Sequence, residues 1–170
     1  ILDVGCGNNK TQGAIGVDIY PDTQADVICN LNSYTYPFKN DIFDLIICKQ
    51  IIEHIPDTDM FLKELHRIAR NNAKIIIETP HFSSYMAYGD YQHCHAFSVC
   101  FLDKLAGRIG FKILKRKITF HRSLRRYKIN WLANKFPLSY ERFWAFIFPA
   151  EHLHFELEVV KRIRWKLRFL

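Results

Sequence analysis

Four side chains able to carry a proton fall in one segment, TPHFSSYMAYGDYQHCHAF: His81, Asp90, His93 and His95, interleaved with Tyr85, Tyr88 and Tyr91. Imidazole titrates near neutrality, so it can take a proton from a hydroxyl or an ammonium group at physiological pH. His81 stands closest to the apolar run before the segment. Asp90 and His93, three apart, suit an orienting pair on a turn. The same segment has metal-ligand chemistry: HCH places His93 and His95 on one face of an extended stretch, with Asp90 and His81 near in sequence, donors that suit zinc or iron. That spacing is not diagnostic, and no metal is expected. Glu53 and His54 follow another apolar run, FDLIICK. His54 is a further candidate base, with helix capping as its alternative use.

A second kind of chemistry is written at the start, ILDVGCGNNK. Asp3 precedes the glycine-flanked turn Gly5-Cys6-Gly7, and Asp18 ends the next apolar run. Glycine lets a backbone turn sharply and lets a ligand approach where a Cβ would stand. A carboxylate at a strand end accepts hydrogen bonds from both hydroxyls of a ribose, so the pair reads as a nucleoside site. The third glycine of a dinucleotide fingerprint is missing, with Asn9 in its place. Only about eight residues separate Gly7 from Gly16, too few for a crossover helix. A phosphate cradle is therefore not expected, and a nucleoside without phosphates fits better.

The elements that must position these groups read as alternating strands and helices. ILDV, Ala14–Ile19, Ala25–Leu31, Phe43–Lys49 and Ala73–Pro80 are apolar runs of the kind found in strands buried on both faces of a parallel sheet. PDTDMFLKELHRIARNN predicts a helix starting at Pro56-Asp57 and stopping at Asn71-Asn72. Ser98–Gly110 predicts another, with Gly110 as C-cap. FKILKRKITF reads as a strand. HLHFELEVVK, alternating apolar and polar, reads as a last strand near a sheet edge. NWLANKFPLSYERFWAFIFP is aromatic and partly helical, an insertion over residues 121–150 within the terminal hairpin. The whole, 1–170, reads as a single domain: an α/β, Rossmann-like, doubly wound and mostly parallel sheet with a C-terminal antiparallel hairpin.

ILDVGCGNNK, GVDIY, DVICNLN, YPFKNDIFDLIICKQIIEHIPD and IIIETP, in that order, resemble a class I S-adenosylmethionine-dependent methyltransferase of compact, type 11-like form. The resemblance covers about the first eighty residues and the terminal hairpin. It implies that S-adenosylmethionine is held by Asp3, Gly5, Cys6 and Gly7, by Asp18 and Ile19, and by Asn30 and Leu31, with Gln50 near the transferred methyl. Asn30 stands where the family usually has an acid, and the short link between the first two strands departs from the usual pattern. The implied reaction is methyl transfer to a small-molecule, glycan or lipid-linked acceptor, with His81, Asp90, His93 and His54 as catalytic candidates. Trp131, Phe136, Tyr140, Phe143 and Trp144 would wall the acceptor pocket or form a small core of their own. A nucleic-acid methyltransferase, a cofactor-binding scaffold without catalysis and, more weakly, a dehydrogenase are the rival readings.

Composition bounds these readings. The chain has 170 residues, 49% of them hydrophobic, and five cysteines without a CxxC pair. The cysteines read as small buried residues in a reducing, cytoplasmic setting. No secretory signal or membrane-spanning stretch is seen. Ile1 lies already in a strand-like run, so the natural protein is expected to begin earlier. The formal charge of +7 is concentrated in the C-terminal half, in KILKRKITFHRSLRRYK and KRIRWKLRFL. That half could meet an anionic surface, RNA or membrane. No stable protein partner is implied.

Overall fold

The computed structural model describes residues 1–125 and 128–161. Seven strands form one sheet: β1 (Leu2–Val4), β2 (Ile15–Asp18), β3 (Val27–Ile28), β4 (Phe43–Lys49), β5 (Ala69–Pro80), β6 (Phe111–Ile118) and β7 (His152–Val159). Their order is β3-β2-β1-β4-β5-β7-β6. β1 to β5 pair in parallel, and β7 runs antiparallel to both β5 and β6. The chain winds outward from β1 in both directions, the Rossmann-like arrangement expected.

β4 is followed by a 3-10 turn, Ile52–His54, and by α1 (Thr58–Ile68). The Asp57 carboxylate caps α1 by accepting from the Met60 amide at 2.9 Å. α1 buries Phe61, Leu62, Leu65 and Ile68. Between β5 and β6 lie α2 (Met86–Gly89) and α3 (Leu102–Ile109), the latter closed by Gly110 at a left-handed φ of +113°. The steps from β4 to β5 and from β5 to β6 go the same way across the sheet. Right-handed crossovers therefore put α1 and α3 on one face, where they cover Leu2, Val4, Ile46, Cys48, Ile75, Ile77 and Phe155 in one core. On the β1–β3 side, the links hold no helix among the described residues. They are stitched instead by Asp26, which accepts from the Gly16 amide at 2.7 Å and pairs with Lys10 at 2.9 Å.

Several boundaries differ from expectation for physical reasons. β3 is two residues long rather than seven. It is the last strand on its side, Ile28 is exposed, and Asn30 turns the chain by accepting from the Asn32 amide at 2.9 Å. α1 stops at Ile68 rather than Asn71-Asn72, because Ala69 already pairs with Phe43. The ladder then slips a register, with Asn72 at φ +63°, before Lys74 pairs with Leu45. α3 starts at Leu102; residues 98–101 form turns. β7 is interior and β6 is the edge. Leu153, Phe155, Leu157 and Val159 are buried under the helices, while the alternate residues stay part-exposed on the sheet's other face. Alternation thus reported a one-sided sheet rather than an edge.

Between β6 and β7 the chain forms α4 (Arg122–Arg125), α5 (Ile129–Lys135) and α6 (Pro137–Phe143), with Pro137 at the favourable first helical turn. Ile129, Ala133, Tyr140 and Ala145 join Ile118 and Phe120 in the core. Asn134 clamps α5 to β6, bonding both the amide and the carbonyl of Ile118 at 2.8 Å. Arg126, Tyr127 and the tail from Arg162 lie outside the described residues, and with them most of KRIRWKLRFL. No helix among the described residues is long and apolar enough to cross a membrane. All five cysteines are unpaired; Cys6 and Cys48 are buried as expected, but Cys94 is exposed.

Candidate active site

The carboxyl ends of β1, β2 and β4 open onto a cleft of about 400 Å³ whose walls include Gly5, Gly7, Asp18, Ile19, Asn30, Leu31, Gln50 and His54. Gly5 sits at φ +67° and donates its amide to the Val17 carbonyl at 2.8 Å. A Cβ there would stand 2.7 Å from the Ile51 side chain. Gly7, at φ +50°, is different: a Cβ there would meet nothing within 4 Å, since it borders open cleft. Asp18 is 8% exposed; one carboxylate oxygen accepts from the Gly7 amide at 2.9 Å and the other from the Tyr20 amide at 3.1 Å. Each oxygen keeps a lone pair for a ribose hydroxyl.

Gln50 follows β4 in the left-handed region, at φ +52°. Its backbone amide donates to the Glu78 carbonyl at 2.8 Å, and its side-chain Nε2 is buried with no partner among the described residues. A strained residue carrying an unsatisfied buried donor is unusual away from a ligand site. Two expected cofactor contacts are displaced from the cleft wall. Asp3 is buried and accepts from the Thr11 amide at 2.7 Å, so it holds the glycine loop closed from behind. Cys6 is buried, and burial, with Asp18 and Asp3 beside it, pushes its thiol up, as befits a packed neutral group.

Gln50 and His54 also border a second hollow of about 400 Å³, walled by Glu53, Pro80, Tyr85, Met86, Gly89, Asp90 and His93. The loop after β5 folds across the turn after β4: the Cys94 amide donates to the Glu53 carbonyl at 2.8 Å, and His95 Nε2 lies 3.1 Å from the Pro56 carbonyl. This stitching sets the His93 ring edge-on to His54, centroids 4.6 Å apart. His93 Nδ1 lies 3.2 Å from the Ala87 carbonyl, and His54 bonds the Gln92 carbonyl. Each ring is thus tied to the backbone through one nitrogen, with the other turned to a further partner. Burial, with His93 adding to it, holds His54 below the ordinary imidazole value, so it is neutral at pH 7.

Beneath them lies Glu53, 1% exposed, with Thr79 Oγ1 donating to Oε2 at 2.9 Å and Oε1 unpartnered among the described residues. Burial pushes this carboxyl up. Sequence reasoning did not choose Glu53 as a site residue. The available signal was an acid set among isoleucines in QIIEHI, a position where a charge must be used or neutralised.

His81 and Asp90 are not what their spacing suggested. His81 is fully buried, with Nδ1 2.8 Å from Ser83 Oγ and Nε2 3.2 Å from Glu141 Oε1, and it borders neither hollow. It ties α6 to the exit of β5 and has no room to meet a substrate. Asp90 does border the second hollow, but its carboxylate accepts from the Gln92 amide at 2.9 Å rather than orienting His93. The metal-ligand set imagined around HCH is dispersed for the same reasons. The donors that do gather are those of Glu53, His54 and His93, within 4.8 Å of one another. The aromatic insertion also departs from expectation. Neither hollow is bordered by any residue of 129–148. Trp131, Phe136, Phe143 and Trp144 are exposed, and only Tyr140 is core.

Comparison with known proteins agrees with this fold. A model of the methyltransferase domain matches residues 1–116. A structure described as a SAM-dependent methyltransferase from Archaeoglobus fulgidus superimposes with a TM-score of 0.68 at 17% identity, covering 92% of this chain and 84% of that one. One from Mesorhizobium loti gives 0.64 at 13% identity, covering 92% and 89%. Phosphoethanolamine N-methyltransferase 2 of Haemonchus contortus, in complex with S-adenosyl-L-methionine, gives 0.63 at 18% identity, covering 95% of this chain and 48% of that one. With the domain match spanning more than half its length, the chain belongs to the methyltransferase domain family and is an S-adenosylmethionine-dependent methyltransferase.

Proposed function

We propose that the chain methylates a hydroxyl of a small-molecule, glycan or lipid-linked acceptor, with the cofactor in the first cleft and the acceptor in the second. The observation that carries this reading is the shared wall: Gln50 and His54 border both hollows, so a group in one meets a group in the other across those two side chains. The cleft suits the cofactor on its own features. Gly7 leaves space where a Cβ would project, Asp18 offers lone pairs at a strand end, and Gln50 holds an unpartnered donor. When bound, S-adenosylmethionine supplies an electrophilic methyl group, and the protein's task is to bring the nucleophile into line with it.

The chain's residues then divide the work. Asp18 and Gly7 seat the nucleoside, with Ile19, Asn30 and Leu31 along its flank. Asn30 Oδ1 already accepts from the Asn32 amide and has one lone pair left for an adenine amino group. His54 is neutral at pH 7, and the ring nitrogen not bonded to Gln92 accepts the proton that an attacking hydroxyl loses. His93, edge-on beside it and fixed by Ala87, holds that ring in place and disfavours its charge, so the proton is passed on readily. Tyr85, Met86 and Pro80 give the acceptor hollow an apolar wall.

The test is transfer of labelled methyl groups from S-adenosylmethionine to a panel of hydroxylated small molecules, glycans and lipid-linked sugars, with RNA as comparison. His54→Gln is expected to lower kcat about a hundredfold or more while cofactor affinity stays unchanged. Turnover on RNA alone, or full turnover by His54→Gln, would contradict the reading.

A further inference from the structure

The insertion between β6 and β7 exposes an unusual set of side chains for a protein surface. Phe146 is 78% exposed, Leu138 64%, Phe143 and Ile147 63%, and Trp131 59%, all within α5, α6 and the turns that follow. Large apolar side chains gathered in one exposed segment mark an interaction surface more often than ones scattered singly. These residues do not serve the cofactor cleft or the acceptor hollow.

Charge identifies what they meet. Residues 111–148 contain ten Lys and Arg and a single acid, Glu141. That one acid is turned inward, 3.2 Å from His81 and accepting from the Val99 amide at 2.6 Å. Lys115 and Arg116 are paired with Glu156 and Asp103 from outside the insertion; Lys117, Lys135 and Arg142 are the cations set beside the apolar groups. They are interleaved at the level of single contacts: Lys135 Nζ lies 4.7 Å from the Trp131 ring centre, and the Arg142 guanidinium 5.3 Å from that of Phe143. Beside them, Lys117 and Lys135 flank a shallow groove between β6 and α5 that Trp131 also borders.

We propose that this insertion docks the enzyme on an anionic phospholipid bilayer. Phe143, Phe146, Ile147, Leu138 and Trp131 enter the boundary between headgroups and acyl chains, and Lys135, Arg142 and Lys117 stay with the phosphates. The short helices are held rigidly enough for the task, because Asn134 clamps α5 to β6 and Glu141 pins α6 to His81. Phe146 also meets Phe82, centroids 5.7 Å apart, just past the exit of β5. A polyanion such as RNA would satisfy the cations but leaves Leu138, Ile147 and Phe146 in water, so the apolar set favours the bilayer.

The test is sedimentation of the full chain with phosphatidylcholine vesicles, with and without about one-third phosphatidylglycerol, at low and high salt. Tryptophan emission is recorded alongside. Binding to the anionic vesicles, a blue shift, and at least about a tenfold loss of partitioning in Phe143→Ser/Phe146→Ser and in Lys135→Glu/Arg142→Glu are expected. Absence of vesicle binding by the folded wild type overturns the proposal. So does binding that the Phe143→Ser/Phe146→Ser variant retains, which would put the contact elsewhere, the basic tail included. Single-stranded RNA that displaces the vesicles, with an affinity the apolar substitutions leave unchanged, would assign the surface to nucleic acid instead. Each variant's fold is checked by its thermal melt and its S-adenosylmethionine binding, so a failure here is distinct from a failure of the methyltransferase chemistry.

Discussion

His54 and Glu53 are neighbours in the chain with opposite electrostatic tasks. His54 works as a base only while neutral, and burial followed by His93 lowers its pKa. The pH profile of kcat/KM should therefore rise from acid to a plateau, with its midpoint below the ordinary imidazole value of about 6.5. That limb should vanish in His54→Gln; a wild-type midpoint above the ordinary value would count against the assignment. Glu53 is buried with its pKa raised. Its folded state favours the protonated form, so its contribution to stability is present at acid pH and is lost as pH rises from the unfolded value through the folded one. Glu53→Gln removes that loss and keeps an acceptor for Thr79. It should stabilise the protein at neutral pH by about 1 kcal/mol, or roughly 2–4 °C in Tm, and by less at pH 4. Equal melting shifts at both pH values would show that burial does not raise the carboxyl's pKa. His81 carries a contrasting expectation: His81→Ala should lower Tm and loosen the insertion, leaving the acid limb of the pH profile where it was.

The glycine turn and the stitched loops are where elements rather than single side chains decide behaviour. Gly5 and Gly7 both have positive φ, yet a Cβ at Gly5 would strike Ile51 whereas one at Gly7 would project into open cleft. Gly5→Ala should cost about 2 kcal/mol or more of stability, partly restored by adding Ile51→Ala. Gly7→Ala should cost only the left-handed backbone strain of about 1 kcal/mol, while weakening cofactor binding. Thermal melts paired with titrations separate the two; loss of stability without loss of affinity at Gly7 would mean the turn is structural only. The same scale shows what was legible in the sequence. β1, β2, β4, most of β5 and α1 were readable because buried parallel strands and an amphipathic helix impose their periods on the chain. β3 was overread because apolar residues continued past the point where Asn30 turns the backbone. The seat of β7 between β5 and β6 is a property of sheet order, which no local pattern encodes.

Across the whole molecule, the site is assembled from strand exits that the winding order brings together. Gly5, Gly7, Asp18, Ile19, Asn30, Leu31 and Gln50 could be singled out because the family resemblance follows chain order, and the structure gathers them on one cleft. The acceptor side was less legible. Its partners are set by loop packing: His93 is brought to His54 by the Cys94–Glu53 backbone bond and the His95–Pro56 contact, and His81 is withdrawn by Glu141, sixty residues away in sequence. The aromatic insertion was open to two readings, a wall of the acceptor pocket or a small core of its own; Tyr140 joins the core with Phe120 and Ala133, while Trp131, Phe136, Phe143 and Trp144 face outward. The claim on which the rest depends is that the cleft beside Gly7 and Asp18 holds S-adenosylmethionine. Calorimetric titration of the wild type and of Asp18→Ala with S-adenosylmethionine and S-adenosylhomocysteine tests it most directly. Micromolar binding by the wild type, weakened by about tenfold or more in a folded Asp18→Ala, is the predicted result. No binding by the folded wild type, or equal binding by the two proteins, would contradict it.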